Sequence, residues 1–141
     1  FDYGLNYNYE GWEEELRSVA KDKVDIYFDN VGGYISDKVI ENLNIGARVL
    51  ICGQISQYNN KEPESGPRNY WQFLSKKSRL EGFVVYDFEE DFHEGIEYLV
   101  NLKNKNKLIF KETIVDGFEN APSAFLKLFS GENFGKLLIK A

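Results

Sequence analysis

The sequence has no methionine, one cysteine and one histidine among 141 residues. A single thiol cannot form an internal disulfide, so a reducing cytoplasm is the expected compartment. Cys52 and His93 alone are too few for a Cys/His zinc site, and no metal is expected in this chain. No run approaches the roughly eighteen apolar residues of a membrane-crossing helix, and no basic stretch followed by an apolar one marks a secretion signal. Positive charge is in short supply: 17 Lys and Arg stand against 23 Asp and Glu, for a net charge of −6. That balance argues against nucleic acid or anionic membranes as partners. The lack of a methionine even at position 1 predicts a processed chain or a piece of a longer one, and the motifs below favour the piece.

What is present fits an ordinary globular domain: 43% hydrophobic and 28% charged residues in a length suited to one domain. Short β-rich runs alternate with amphipathic stretches. Residues 5–7 read as the end of a strand. Residues 12–21 read as a helix with Trp12, Leu16, Val19 and Ala20 on one face, its acidic first turn (Glu13, Glu14, Glu15) and the later Lys21 and Lys23 matching the helix dipole. Val24 to Phe28 reads as a strand ending at Asp29. A helix follows, burying Ile35, Val39, Ile40 and Leu43. Arg48 to Cys52 is nearly all apolar, as a strand covered on both faces should be. Residues 54–68 form a long polar loop, and loops of that length often carry function. A short helix over 69–77 leads to a strand over Leu80 to Val85, then a helix over 91–104. Leu108 to Val115 and Leu137 to Ile139 are the last strands, flanking a helix with Pro122 in its first turn and Gly131 at its end. This order predicts an α/β fold with a parallel sheet.

In open parallel sheets, ligands bind beyond the carboxyl ends of the strands. Four strings there have suitable chemistry. In Asp29-Asn30-Val31-Gly32-Gly33, two glycines allow a sharp turn and close approach, and Asn30 can both donate and accept hydrogen bonds. The plain alternative is a strand-to-helix turn. In Cys52-Gly53-Gln54-Ile55-Ser56-Gln57-Tyr58, the phenol of Tyr58 can donate a proton or hydrogen bond, or merely anchor the loop by packing. Cys52 reads as a small buried residue with no histidine beside it, and His93 as a solvated surface residue. Gly82-Phe83-Val84-Val85 could hydrogen-bond a flat polar ring through its backbone, or be a core strand. Gly131-Glu132-Asn133-Phe134-Gly135-Lys136 brackets Asn133 with glycines, or simply stops a helix and starts a strand.

Taken in order, with Asp116-Gly117-Phe118-Glu119-Asn120-Ala121-Pro122 before the last string, this set resembles the zinc-independent medium-chain reductases. These are the prostaglandin reductases (leukotriene B4 12-hydroxydehydrogenases) and the plant 2-alkenal, or double-bond, reductases. The resemblance covers essentially the whole chain. It implies an incomplete Rossmann-type doubly wound parallel sheet over residues 1–104, and a segment, 105–141, that returns toward a catalytic domain outside this sequence. It implies NADPH-dependent reduction of the C=C bond of an α,β-unsaturated aldehyde or ketone, a small-molecule substrate. Tyr58 would be the catalytic donor. Tyr7 would lie toward the adenosine end of NADPH, and Asn30, Cys52, Gly53, Ile55, Ser56, Tyr58, Phe83, Val84, Val85 and Asn133 along the remainder. A homodimer through the strand over 80–85 is implied as well. The alternatives are a quinone oxidoreductase of the same superfamily and a non-catalytic dinucleotide-binding or scaffold protein.

The resemblance also implies that the Gly-rich pyrophosphate turn and the residue that reads a 2′-phosphate lie upstream. The chain alone would then be inactive and bind NADPH weakly, with strands near Leu5 and at Val24 to Phe28 exposing unpaired edges.

Overall fold

Five apolar runs form strands and five amphipathic stretches form α-helices in the computed structural model, which describes all residues from Phe1 to Ala141. The backbone groups them into two units, Phe1–Asp87 and Phe88–Ala141. The first holds α1 (Trp12–Val19), β1 (Val24–Asp29), α2 (Gly33–Glu41), β2 (Leu43–Ile51), α3 (Tyr70–Lys76) and β3 (Arg79–Gly82). The second holds α4 (Phe92–Asn104), β4 (Glu112–Asp116), α5 (Ala121–Ser130) and β5 (Lys136–Lys140). The 104/105 division drawn from the sequence concerns packing on a further domain; the backbone grouping within this chain divides at Asp87/Phe88 instead.

In the first unit the strands lie in the order β1-β2-β3, all parallel. Tyr27 pairs with Val49 and Val49 with Leu80; Asp29 pairs with Ile51 and Ile51 with Gly82. The three strands therefore end level with one another. Tyr27, Val49 and Leu80 share one face, and Ile40 of α2 completes a core there with Leu43, Ala47 and Val49, joined by Phe73 of α3. Leu43 is fully buried, so Leu43→Ala should cost about 2–5 kcal/mol. On the opposite face Ile26 and Phe28 stay largely open, at 67% and 52% exposure.

Helix α1 is tied to α2 through side chains. The Tyr34 hydroxyl donates to the Glu13 carboxylate, Lys38 Nζ lies 3.3 Å from the same carboxylate, and the Trp12 and Tyr34 rings meet edge to face at 6.3 Å. These contacts hold Glu13 below its ordinary pKa, chiefly through the Tyr34 hydrogen bond.

The structure departs from the sequence reading at several element ends. Residues 5–7 form no strand; no strand of this chain pairs with them, and the Asn6 carbonyl instead accepts the Tyr9 N–H at 3.0 Å within a local turn. Of the four central strands expected, three are therefore present. Helix α1 stops at Val19, and Lys23 reverses the chain with a positive φ of 72°. Strand β2 begins at Leu43, well before Arg48, so Leu43 is buried from a strand and not from the helix. Its pairing with β1 shifts between Val24 and Ile26, and Gly46 at φ 77° accommodates the bulge. Strand β3 stops at Gly82 rather than Val85. Asp87 caps the turn that follows, accepting the Val84 N–H at 3.0 Å while its own N–H donates to the Val84 carbonyl at 3.0 Å. A 3-10 segment over Val85–Asp91 takes its place.

The second unit holds a separate two-stranded sheet, so the sheets number two, not one. β4 and β5 run parallel from Glu112↔Lys136 to Asp116↔Lys140, and Lys140 Nζ lies 3.5 Å from Asp116. Strand β4 begins four residues later than expected, at Glu112, and β5 extends to Lys136 and Lys140. Helix α5 packs on β5 and buries Ala124, and Pro122 lies in its first turn as read from the sequence.

Candidate functional site

Because β1, β2 and β3 end level, their exits crowd together at one rim of the first unit. The β1 exit is built on Asp29, which is 2% exposed. Its Oδ1 accepts the backbone N–H of Val31 at 2.8 Å and of Gly32 at 2.9 Å. This local turn, in which a side chain replaces a backbone acceptor, aims the chain into α2. The Asp29 carbonyl accepts Cys52 N–H at 2.8 Å and Gly53 N–H at 3.2 Å. The turn after β1 is thereby stitched to the exit of β2.

The stitching continues along the loop. Ile55 N–H donates to the Asn30 carbonyl at 3.2 Å, Ser56 N–H to the Val31 carbonyl at 3.1 Å, and Ser56 Oγ to that carbonyl at 2.6 Å. Gly32 and Gly33, at φ 68° and 60°, face this loop. A Cβ on Gly33 would lie 2.9 Å from Ser56 Oγ, and one on Gly32 3.1 Å from the Gln54 side chain. The two glycines thus admit the protein's own loop. Further on, Gln57 donates to Glu64 at 3.0 Å and Asn69 to Asp37 at 3.2 Å, which closes the 54–68 loop over α2. Burial there raises the Asp37 pKa, helped by the neighbouring Glu41 and Glu64.

A cleft of about 510 Å³ opens between the β2 and β3 exits, lined by Ile51 to Gln54, Tyr58, Gly82 to Val84 and Asp87. Tyr58 reaches back across the loop, and its hydroxyl accepts the Gln54 N–H at 3.1 Å. A hydroxyl that accepts one bond keeps its own proton to give. The Tyr58 side chain is 65% exposed, so that proton is available to a molecule in the cleft. On the other side, Phe83 N–H donates to the Ile51 carbonyl at 3.2 Å, and the Phe83 ring meets Phe28 edge to face at 5.6 Å. The result is an open cleft that brings together apolar surface from Ile51, Phe83 and Val84, the glycines Gly53 and Gly82, and the Tyr58 phenol. Those surfaces suit a flat, partly polar ring.

Of the residues singled out from the sequence, Cys52, Gly53, Tyr58, Phe83 and Val84 line this cleft. Asn30 adjoins it, its carbonyl 3.5 Å from where a Gly53 Cβ would be. Cys52 is exposed, against the expectation of a buried thiol, because β2 ends one residue before it. Ile55 and Ser56 face the β1–α2 turn and do not line the cleft; Val85 has entered the 3-10 segment. Tyr7 is exposed on an irregular stretch of the first unit. Asn133 belongs to the second unit, where its amide donates to the Gly135 carbonyl at 3.0 Å. His93 is exposed, its Nδ1 2.9 Å from the Glu90 carbonyl oxygen. Asp29 and Gln54 stood in the candidate strings without a role of their own, and Asp87 stood in none. An aspartate three residues before a glycine after a strand, and Asp87 three residues beyond Val84, are the signals that could have marked two of them.

A family profile described as zinc-binding dehydrogenase matches residues 1–139. The Bacillus subtilis protein YfmJ, provisionally named an NADP-dependent oxidoreductase, is 46% identical over 99% of this chain and 42% of its own. The NADP(+)-dependent 2-alkenal reductase of Nicotiana tabacum is 36% identical over 99% of this chain and 40% of its own. The crystal structure of CurA from Vibrio vulnificus in complex with NADPH superposes with a TM-score of 0.91 at 36% identity, over 100% of this chain and 43% of that one. The chain thus spans less than half the length of the relatives it matches.

Proposed function

The chain belongs to the zinc-binding dehydrogenase family, and on that premise we propose that it supplies the nicotinamide-facing half of an NADPH-dependent reductase acting on the C=C bond of α,β-unsaturated aldehydes and ketones. The observation that carries the reading is the placement of the Tyr58 hydroxyl, its proton free, in one cleft with the exits of β2 and β3. The kinship to proteins named as NADP-dependent oxidoreductase and 2-alkenal reductase supports the same choice.

When bound, the reduced nicotinamide supplies a hydride to the β-carbon of the substrate. Negative charge then develops on the substrate oxygen. A donor already aimed at that position stabilises the charge without reorganising. Tyr58 is assigned that role. Gly53, Cys52 and the backbone from Phe83 to Val85 would hold the ring flat in the cleft, with Asn30 beside it. Ile55 and Ser56 would hold the loop in place. Tyr7 and Asn133 are assigned to the cofactor's remaining length. Residues 1–104 would belong to the dinucleotide-binding domain, and 105–141 would pack with the catalytic domain. The outer edge of β3 has no neighbour in its sheet, and a homodimer would pair there.

Tyr58→Phe in the complete enzyme tests the reading. Losing one such donor typically costs about 10²–10³ in turnover. The kcat for a 2-alkenal should fall by that order, while the Kd for NADPH stays within about twofold, since the phenol meets substrate and not phosphate. Full turnover in the variant would remove Tyr58 from the chemistry.

A further inference from the structure

Gly53 carries no side chain at the one point where the Tyr58 hydroxyl needs room. A Cβ built on Gly53 would lie 2.9 Å from Tyr58 Oη, closer than real Cβ atoms approach, and 3.5 Å from the Asn30 carbonyl, an ordinary contact. The backbone of Gly53 is not in the left-handed region that only glycine favours. Nothing local therefore requires glycine here except the hydroxyl. That hydroxyl is the far end of a side chain on an exposed loop, so an added methyl group would displace the phenol and leave the backbone in place. The displacement would also break the 3.1 Å hydrogen bond from the Gln54 N–H, which fixes the direction in which Tyr58 presents its own proton.

We propose that Gly53 is a positioning residue: its missing side chain holds open the space in which the Tyr58 hydroxyl meets the Gln54 N–H, and so sets the position of the phenol in the cleft. The catalytic consequence rests on Tyr58 being the donor to the substrate oxygen; the geometric part does not. Misplacement of a catalytic group by about an ångström can cost on the order of a hundredfold. Gly53→Ala should therefore lower kcat for a 2-alkenal by roughly ten- to a hundredfold with the fold intact.

The test is a double-mutant cycle in the complete enzyme, read by turnover and by hydrogen–deuterium exchange over residues 52–58. In the Tyr58→Phe background the hydroxyl is gone and the methyl group has room. Gly53→Ala should then cost much less than it does in the parent, because the part of its loss that runs through the hydroxyl is gone, and the Gln54 amide should exchange faster in either single variant than in the parent. An equal drop from Gly53→Ala in both backgrounds would overturn the proposal, because none of the loss would then run through the Tyr58 hydroxyl. Unchanged protection of the Gln54 amide in Gly53→Ala would overturn it as well. If Tyr58→Phe leaves turnover intact while Gly53→Ala exposes the Gln54 amide, the catalytic reading of Tyr58 falls and the positioning geometry stands. If Gly53→Ala alone fails to fold, recovery of the fold in Gly53→Ala/Tyr58→Phe supports the proposal and a persistent failure overturns it.

Discussion

Phe28 and Phe83 meet edge to face at 5.6 Å, with their ring planes at 67°, although a whole strand, β2, lies between the strands they leave. The contact ties the outer exits together and fixes the apolar wall of the cleft. Edge-to-face pairs add about 0.5–1.5 kcal/mol beyond area burial. A double-mutant cycle with Phe28→Leu and Phe83→Leu should give a coupling energy in the lower half of that range, since Phe28 is half exposed. Urea denaturation of the four proteins reads it. Additive losses would show that the rings are neighbours without being partners.

Gly33 should tolerate a side chain poorly, for two separable reasons. Its φ of 60° disfavours any L residue by about 1–2 kcal/mol, and a Cβ would press on Ser56 Oγ at 2.9 Å. Gly33→Ala should therefore destabilise the protein by more than the backbone term alone. Adding Ser56→Ala should return part of the loss, up to the contact's share. Thermal unfolding of the single and double variants measures this, and no recovery would mean that the hydroxyl yields freely.

Tyr27 gives stability an alkaline limit. Burial pushes its phenol well above the ordinary value of 10, and the nearby Asp29 charge pushes it further. A pKa raised on folding stabilises the folded state fully below the unfolded pKa and ever less as pH climbs past it. Stability should hold up to about pH 10 and then decline as unfolded Tyr27 ionises while folded Tyr27 resists. Tyr27→Phe should show a shallower decline. Denaturant midpoints between pH 9 and 11 compare the two, and parallel curves would exclude Tyr27 as the source.

Metal removal offers a separate check on the chemistry. On the proposed reading a phenol handles the developing oxyanion, which would leave no task for a Lewis acid at that oxygen. Exhaustive dialysis of the complete enzyme against a chelator should leave kcat for a 2-alkenal unchanged. A loss restored by added zinc would place a metal in the reaction and demote Tyr58.

The core strands were legible because strands covered on a face must be apolar. Val49 is buried and Val24, Tyr27 and Ile51 pack against the same core, which few other placements of these apolar residues would allow. The rim was legible too: glycine, asparagine and a phenol at successive strand exits marked where a ligand could lie. Strand ends were harder. Strand β2 was expected from Arg48, yet it starts at Leu43, and a bulge at Gly46 carries it through Asn44 and Gly46. Strand β3 gives out early because the chain turns into a 3-10 segment at Val85, a turn that the Asp87 side chain caps from three residues beyond Val84. The glycine pair at 32–33 was read as making way for a ligand, and it makes way for Ser56. Hydrogen bonds between segments 25 residues apart, such as Ser56 to Val31, leave no periodic trace in a sequence.

The strand pair β4 and β5 carries Glu112 opposite Lys136 at one end and Asp116 opposite Lys140 at the other. A parallel pair has no tight hairpin to dictate which residue meets which, so the alignment must be selected some other way. Sliding β5 by a single position would turn Leu137 and Ile139, which share the half-buried face, outward and bring Leu138 in, and sliding by two would set both lysines against uncharged neighbours. The charges at the two tips, of which Asp116 and Lys140 come within 3.5 Å, add a modest preference for the observed alignment. Reversing the charge at a single tip should loosen that choice long before it unravels the strands.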